Sequence, residues 1–225
     1  MRGEEGATHP IVVRPSLDIG RAETLLDQVA AVAWDELYHA YGPASDVPGQ
    51  IAAVLVGDDE TRAEAWWNLW GNIHHQGTIY EATVPAVPIL LGIAGWSDHP
   101  DRAEALMMLR EIGAACGAHV WRYGAHGDPV SDEDEQRRLH PELRNRLVAG
   151  AASMLDSWRS EPPDVRRALL WLLSVHTDLR AEHQDLVDEV LPAVHRRAWE
   201  LELAGSMDSD AVFALEEWVR RGDDS

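Results

Sequence analysis

Apolar positions recur at helical spacing along most of the chain. Between Asp18 and Tyr41, the residues Leu25, Val29, Val32 and Leu37 fall near one face, Asp18 stands where an N-cap is needed, and Gly42-Pro43 closes the run. Three later strings share one pattern. Arg62, Ala65, Trp66 and Leu69 read R-x-x-A-W-x-x-L; Arg102, Ala105, Leu106 and Leu109 read R-x-x-A-L-x-x-L; Arg166, Leu169, Leu170 and Leu173 read R-x-x-L-L-x-x-L. Apolar residues three, four and seven places after each Arg make a single helix face. Turn and cap signals precede each string: Asp58-Asp59, Ser97-Asp98-His99-Pro100 and Glu161-Pro162-Pro163-Asp164. The Arg falls in a first helical turn, where its charge opposes the helix dipole. Its recurrence therefore calls for a partner, and a carboxylate on the neighbouring repeat is the one expected.

A second signal stands before the strings. Pro85-Ala86-Val87 lies 17 residues before Arg102, and Pro192-Ala193-Val194 lies 17 residues before Ser209. Antiparallel helix pairs follow: about 48–57 with 60–73, 80–95 with 99–116, 137–159 with 164–175, and 181–202 with 208–221. The 40 residues from Arg62 to Arg102 suit a two-helix repeat, while the 64 from Arg102 to Arg166 do not. The excess coincides with residues 117–135, rich in Gly and closed by the acidic run Asp132 to Glu135, and is read as an inserted loop of a length often tied to function. Residues 1–17, irregular and rich in Gly, Pro and charge, read as a leader to a single all-α domain over 18–225.

The paired strings, the Arg and the Pro of the first helix of each pair resemble HEAT repeats, including those of the bilin-lyase-like type. The resemblance covers residues 48–220 and implies an α-α superhelix in which each pair buries its apolar stripe on its neighbours.

Trp66 to Val87 departs from the rest, with Trp, His, Asn, Gln and Tyr crowded around Gly71 and Gly77. On one reading it is a structured corner between helices: Gly77 takes positive φ as a C′ residue, Asn72 and Gln76 satisfy helix-end carbonyls, and Thr78 or Thr83 starts the next helix. On the other it presents a rim for a partner, with Trp66, Trp70, Asn72, His74, His75, Gln76, Tyr80 and Glu81 as candidate contacts, since Trp and Tyr anchor protein interfaces. Gly71, Asn72, Ile73, His75, Gln76, Gly77, Thr78, Tyr80, Ala82, Thr83, Ala86, Val87 and Pro88 resemble a stretch of bacterial HEAT-like proteins, some of them encoded beside polymorphic toxins. What that resemblance implies is an immunity protein, one that binds and blocks a toxin domain.

Charge sharpens the choice of partner. The chain has 225 residues and a formal net charge of −20, and all 19 basic residues are Arg. The acidic excess is 11 in residues 1–120 and 9 in residues 121–225, so it is spread over the domain. Such a surface repels nucleic-acid phosphates and draws a basic protein, the expected partner. Solubility alone would also be served. No apolar stretch is long enough to span a bilayer and no signal peptide is evident, so neither membrane insertion nor export is expected. The single cysteine, Cys116, excludes an intrachain disulfide and fits a reducing cytoplasm.

Little chemistry emerges. His74 and His75, adjacent on a helix, would point about 100° apart. His176 and His183, with Asp178 and Glu182, are the pair most able to meet across a turn, but eleven His make chance pairs common. Cys116, after Ala114-Ala115, has His119 near but no third orienting group, and reads as buried. No P-loop, G-x-G-x-x-G, G-x-S-x-G or H-E-x-x-H occurs, and no strand is predicted. Trp34, Trp96, Trp121, Trp158, Trp171, Trp199 and Trp218 read mostly as core. No cofactor or metal is expected. The leading expectation is a protein-binding, non-enzymatic module of the immunity type. A small-molecule or metal-binding enzyme using Asn72, His74, His75, Tyr80 and Glu81 is the alternative, and a scaffold subunit the third.

Overall fold

The computed structural model describes residues 18–115 and 133–175, together with His183 and Leu186. In chain order the elements are α1 (Ile19–Ala30), a 3-10 turn (Trp34–Glu36), β1 (Tyr38–His39), β2 (Gly42–Pro43), α2 (Val47–Val56), α3 (Asp59–Asn72), β3 (His74–His75), β4 (Thr78–Ile79), α4 (Thr83–Ala94), α5 (Arg102–Ala115), α6 (Glu133–Asp156), a second 3-10 turn (Trp158–Ser160) and α7 (Pro163–Val175). The described part is mostly helical. The helix pair expected over 181–221, the leader and most of the 117–135 insertion lie outside the described residues, as do Cys116 and His176.

Cap chemistry starts the early helices where the sequence placed it. Asp18 accepts the backbone N–H of Arg21 at 3.2 Å, and Asp58 accepts that of Thr61 at 2.9 Å. The Thr61 hydroxyl, and after it this backbone N–H, hold the exposed Asp58 carboxyl below its ordinary range. α2 and α3 are joined by Gly57 and Asp58 alone, a connection so short that α3 runs back along α2. α6 begins at Glu133, so Glu133 to Glu135, expected in the loop, form its first turn. Carboxylates are favoured there because they face the positive end of the helix dipole.

α4 is the centre of the packing. It contacts α5, α6 and α1, and buries Ala86, Val87, Ile89, Leu90, Ile93 and Ala94. Two of these contacts are close because glycine stands at them. A Cβ on Gly92 would come within 2.4 Å of Leu25 of α1, and one on Gly150 of α6 within 2.5 Å of Leu91. α5 carries the core onward to α7.

The recurring Arg residues find the partners expected of them. Arg62 donates from Nε to Asp101 at 2.8 Å, and Arg102 donates from Nη1 to Glu161 at 2.6 Å, each carboxylate belonging to the following helix pair. Each guanidinium also covers a carbonyl at the end of the preceding helix: Arg62 Nη1 on Gly57 O at 3.0 Å, Arg102 Nε on Ala94 O at 2.8 Å. The Arg opposes the dipole of its own helix but complements the C-terminus of the one before it. Arg166 differs, its guanidinium lying over the Trp158 ring at 5.4 Å.

Two further expectations are overturned. The helix expected to run from Asp18 to Tyr41 stops at Ala30, because Trp34 folds under it, donates its indole N–H to Val29 O at 2.8 Å and buries its ring. The absence of strands also fails. Two antiparallel hairpins occur, pairing Tyr38 with Pro43 and His39 with Gly42, then His74 with Ile79 and His75 with Thr78. Each precedes a helix with Val-Pro in its first turn, Val47-Pro48 and Val84-Pro85.

Candidate functional site

The second hairpin turns through Gln76 and Gly77, whose φ angles are 50° and 78°. Positive φ at both loop residues defines the tight turn whose twist suits a hairpin. Gly77 thus has the positive φ expected, but as a turn residue rather than a helix C′; α3 ends on Ile73, with φ of −87°. Thr83, at the start of α4, locks the far side. Its hydroxyl accepts the Tyr80 N–H at 2.8 Å and donates to Ile73 O, tying the helix to the base of the hairpin.

The first hairpin leans on the second. Ala40 N donates to Asn72 O at 3.0 Å, Ala82 N donates to Tyr38 O at 3.1 Å, and Tyr38 N donates to the Glu81 carboxylate at 3.2 Å. Beside them lies a polar knot centred on the exposed Asp46. His39 Nδ1 accepts the Tyr41 N–H at 3.0 Å, which leaves the proton on Nε2 to be donated to Asp46 at 2.9 Å. Asn72 and Gln50 donate to the other oxygen of Asp46 at 3.0 and 2.9 Å. Both ring nitrogens of His39 are thereby engaged, and the knot holds the hairpin in place rather than offering a base.

The eight candidate residues divide by depth. Trp66 is buried and donates to Asp101 at 3.1 Å; Trp70 is half-buried and donates to Glu104 at 2.6 Å. Asn72 is buried in the Asp46 knot, and Tyr80 is buried at the foot of α4, its phenol pushed upward by burial. His74 is buried edge-on to Trp70, its Nε2 without a hydrogen bond among the described residues. Burial holds the His74 ring below its ordinary range, more than Glu111 opposes. Besides Trp70, His75, Gln76 and Glu81 reach the surface fully or in part, with His75 Nδ1 and the Tyr41 hydroxyl 3.3 Å apart.

What the surface presents instead is a set of aromatics that sequence reading passed over. Tyr38 is 58%, Tyr41 60% and Trp67 80% exposed. Trp67 and Gly71 stand one turn apart on α3, and a Cβ on Gly71 would touch the Tyr41 ring at 3.8 Å. Trp67, Tyr41 and His75 thus follow one another along the rim, with Glu64 one turn before Trp67 and Glu81 against the Tyr38 backbone. One signal was available for the hairpin: a Gln-Gly pair between His74-His75 and the β-branched Thr78-Ile79. Tyr41 carries no such signal, standing at the end of an apolar run with helical spacing.

Among the described residues, no group of three or more His, Cys, Asp or Glu side chains is gathered to hold a metal ion, and no helix is long and apolar enough to cross a membrane. His183 Nδ1 lies 4.0 Å from Asp156. Comparison of the chain with family models, with curated proteins and with solved structures found no match in any of the three.

Proposed function

We propose that this chain is a HEAT-like α-α superhelical module that binds a basic protein through its hairpin rim, in the manner of an immunity protein on a toxin domain. The observation that carries the reading is the set of exposed aromatics, Trp67, Tyr41 and Tyr38, on hairpins tied to the helix ends by the Asp46 hydrogen bonds. Large aromatics lose little side-chain freedom on binding and supply the anchors of protein interfaces. The carboxylates beside them and the net charge of −20 select a basic partner and speed its approach. The enzyme alternative would need an available base at this corner. Of the groups it names, His74 is enclosed, while His75 and Glu81 reach the surface beside the exposed Tyr41 and Tyr38, so the binding reading rests on those aromatics.

The test is affinity purification of the tagged chain from its native cells, with bound proteins identified by mass spectrometry. Tyr41→Ala and Trp67→Ala serve as paired variants, with Trp70→Ala, a largely internal change, as comparison. The reading expects a stoichiometric basic partner, weakened by salt and lost or reduced at least about tenfold by either rim variant. A small molecule carried through purification without a protein partner, or a partner indifferent to both rim variants, overturns it.

A further inference from the structure

A cleft of about 300 Å³ lies where the N-terminus of α1, the C-terminus of α4, the N-terminus of α5 and the C-terminus of α6 converge, and it shares no lining residue with the hairpin rim. Its walls hold Arg21, Arg102, Ser153, Ser157 and Glu161, with Leu91 and Met154 as the apolar part. Two guanidiniums meet the end of α4: Arg21 Nη2 donates to Gly92 O at 3.1 Å, and Arg102 Nε to Ala94 O at 2.8 Å. Their positions differ in one respect. Arg102 is buried and paired with Glu161, whose other oxygen lies 3.3 Å from the Ser157 hydroxyl. Arg21 is exposed and has no carboxylate partner among the described residues, in a chain with 39 acidic side chains. The Ser153 hydroxyl on the facing helix likewise makes no hydrogen bond among the described residues. Among the lining residues two cations stand against one carboxylate, and the Asp18 carboxylate beside Arg21 is taken by the Arg21 backbone N–H.

We propose that this cleft binds a small oxyanion, the phosphate or carboxylate group of a metabolite. Arg21 supplies the charge and a forked pair of donors, and Ser153 supplies a directional hydroxyl. Arg102 and Glu161, already paired, form the floor that keeps the site open. The volume suits a ligand of a few heavy atoms beyond the anionic group, being at the small end for such sites.

Isothermal titration at fixed ionic strength tests the proposal, with inorganic phosphate and malonate as separate probes and chloride as the balancing ion. The wild-type chain is expected to bind at least one probe saturably. Arg21→Gln should weaken that binding about tenfold or more, Ser153→Ala a few-fold, and Arg21→Lys less than Arg21→Gln. Binding of phosphate alone assigns the site to phosphorylated ligands, and of malonate alone to carboxylates. No saturable binding of either probe, or binding unchanged by both Arg21→Gln and Ser153→Ala, overturns the proposal. Ser153→Ala leaves the Arg21 bond to α4 intact, so it gives a reading even where Arg21→Gln loses helical circular dichroism.

Discussion

Arg62 shows how much one side chain can join. It reaches Gly57 at the end of α2, Asp59 in its own helix at 2.7 Å, and Asp101 at the head of the next pair, while Trp66 bonds the same Asp101 oxygen. Its side chain is 9% exposed and that of Asp101 21%, so removing Arg62 strands a largely buried carboxylate, while removing Asp101 leaves Arg62 with Asp59. Arg62→Met is expected to cost about 3 kcal/mol in urea denaturation, and Asp101→Asn somewhat less. The double variant should cost clearly less than the two together, since neither charge is then left alone. Strict additivity would show that the pair is not coupled.

At the scale of an element, the hairpins are the surprise, and their smallest loop is the place to probe them. Gln76 sits at φ 50°, a conformation a non-glycine residue adopts at some cost, and Gly77 at 78°. Gln76→Asn, giving the preferred Asn-Gly turn, is expected to raise stability by about 0.5 kcal/mol. Gly77→Val should lower it by about 2 kcal/mol, because a β-branched residue resists positive φ. Equal tolerance of both changes in thermal melts would mean that the turn is not formed as described. Hairpins this short do not stand alone. Here the helix ends around them supply what is missing, through the Asp46 knot and the Thr83 bridge.

Across the whole molecule, acidity and buried imidazoles act in opposite directions as pH falls. Protonating surface carboxylates relieves self-repulsion in a chain of net charge −20. Burial holds His74 and His99 below the ordinary imidazole value of 6.5, against the opposing pull of Glu111 on the one and Asp101 on the other. Each is neutral in the folded state and charges more easily once unfolded. Their contribution is therefore whole above about pH 6.5 and is lost as pH falls from there toward the folded-state value. Relative to wild type, His74→Phe should gain stability on going from pH 7 to about pH 5.5, by up to about 1.4 kcal/mol, whatever the carboxylates contribute to both. A constant difference between the two chains over that interval would show that His74 takes up its proton equally in both states.

The helix pairs from α2 to α7 were legible because their signals are local: a 3.6-residue apolar period, Asp caps and Pro-rich turns decide them within one turn of chain. The carboxylate partners of Arg62 and Arg102 on the following helix pair were legible too, since an Arg in a first helical turn opposes its own dipole and needs an outside partner. Only the tertiary structure decided where helix 18–41 stops, because the Trp34 ring is drawn into the core shared with the later helices, and its indole then bonds back to Val29 O. It alone decided that Trp66, Asn72, His74 and Tyr80 turn inward while Trp67 and Tyr41 face out. Two-residue strands carry too short a pattern to announce a face. Which aromatic is covered depends on the helix packed against it, and that neighbour is set by contacts between residues far apart in the chain.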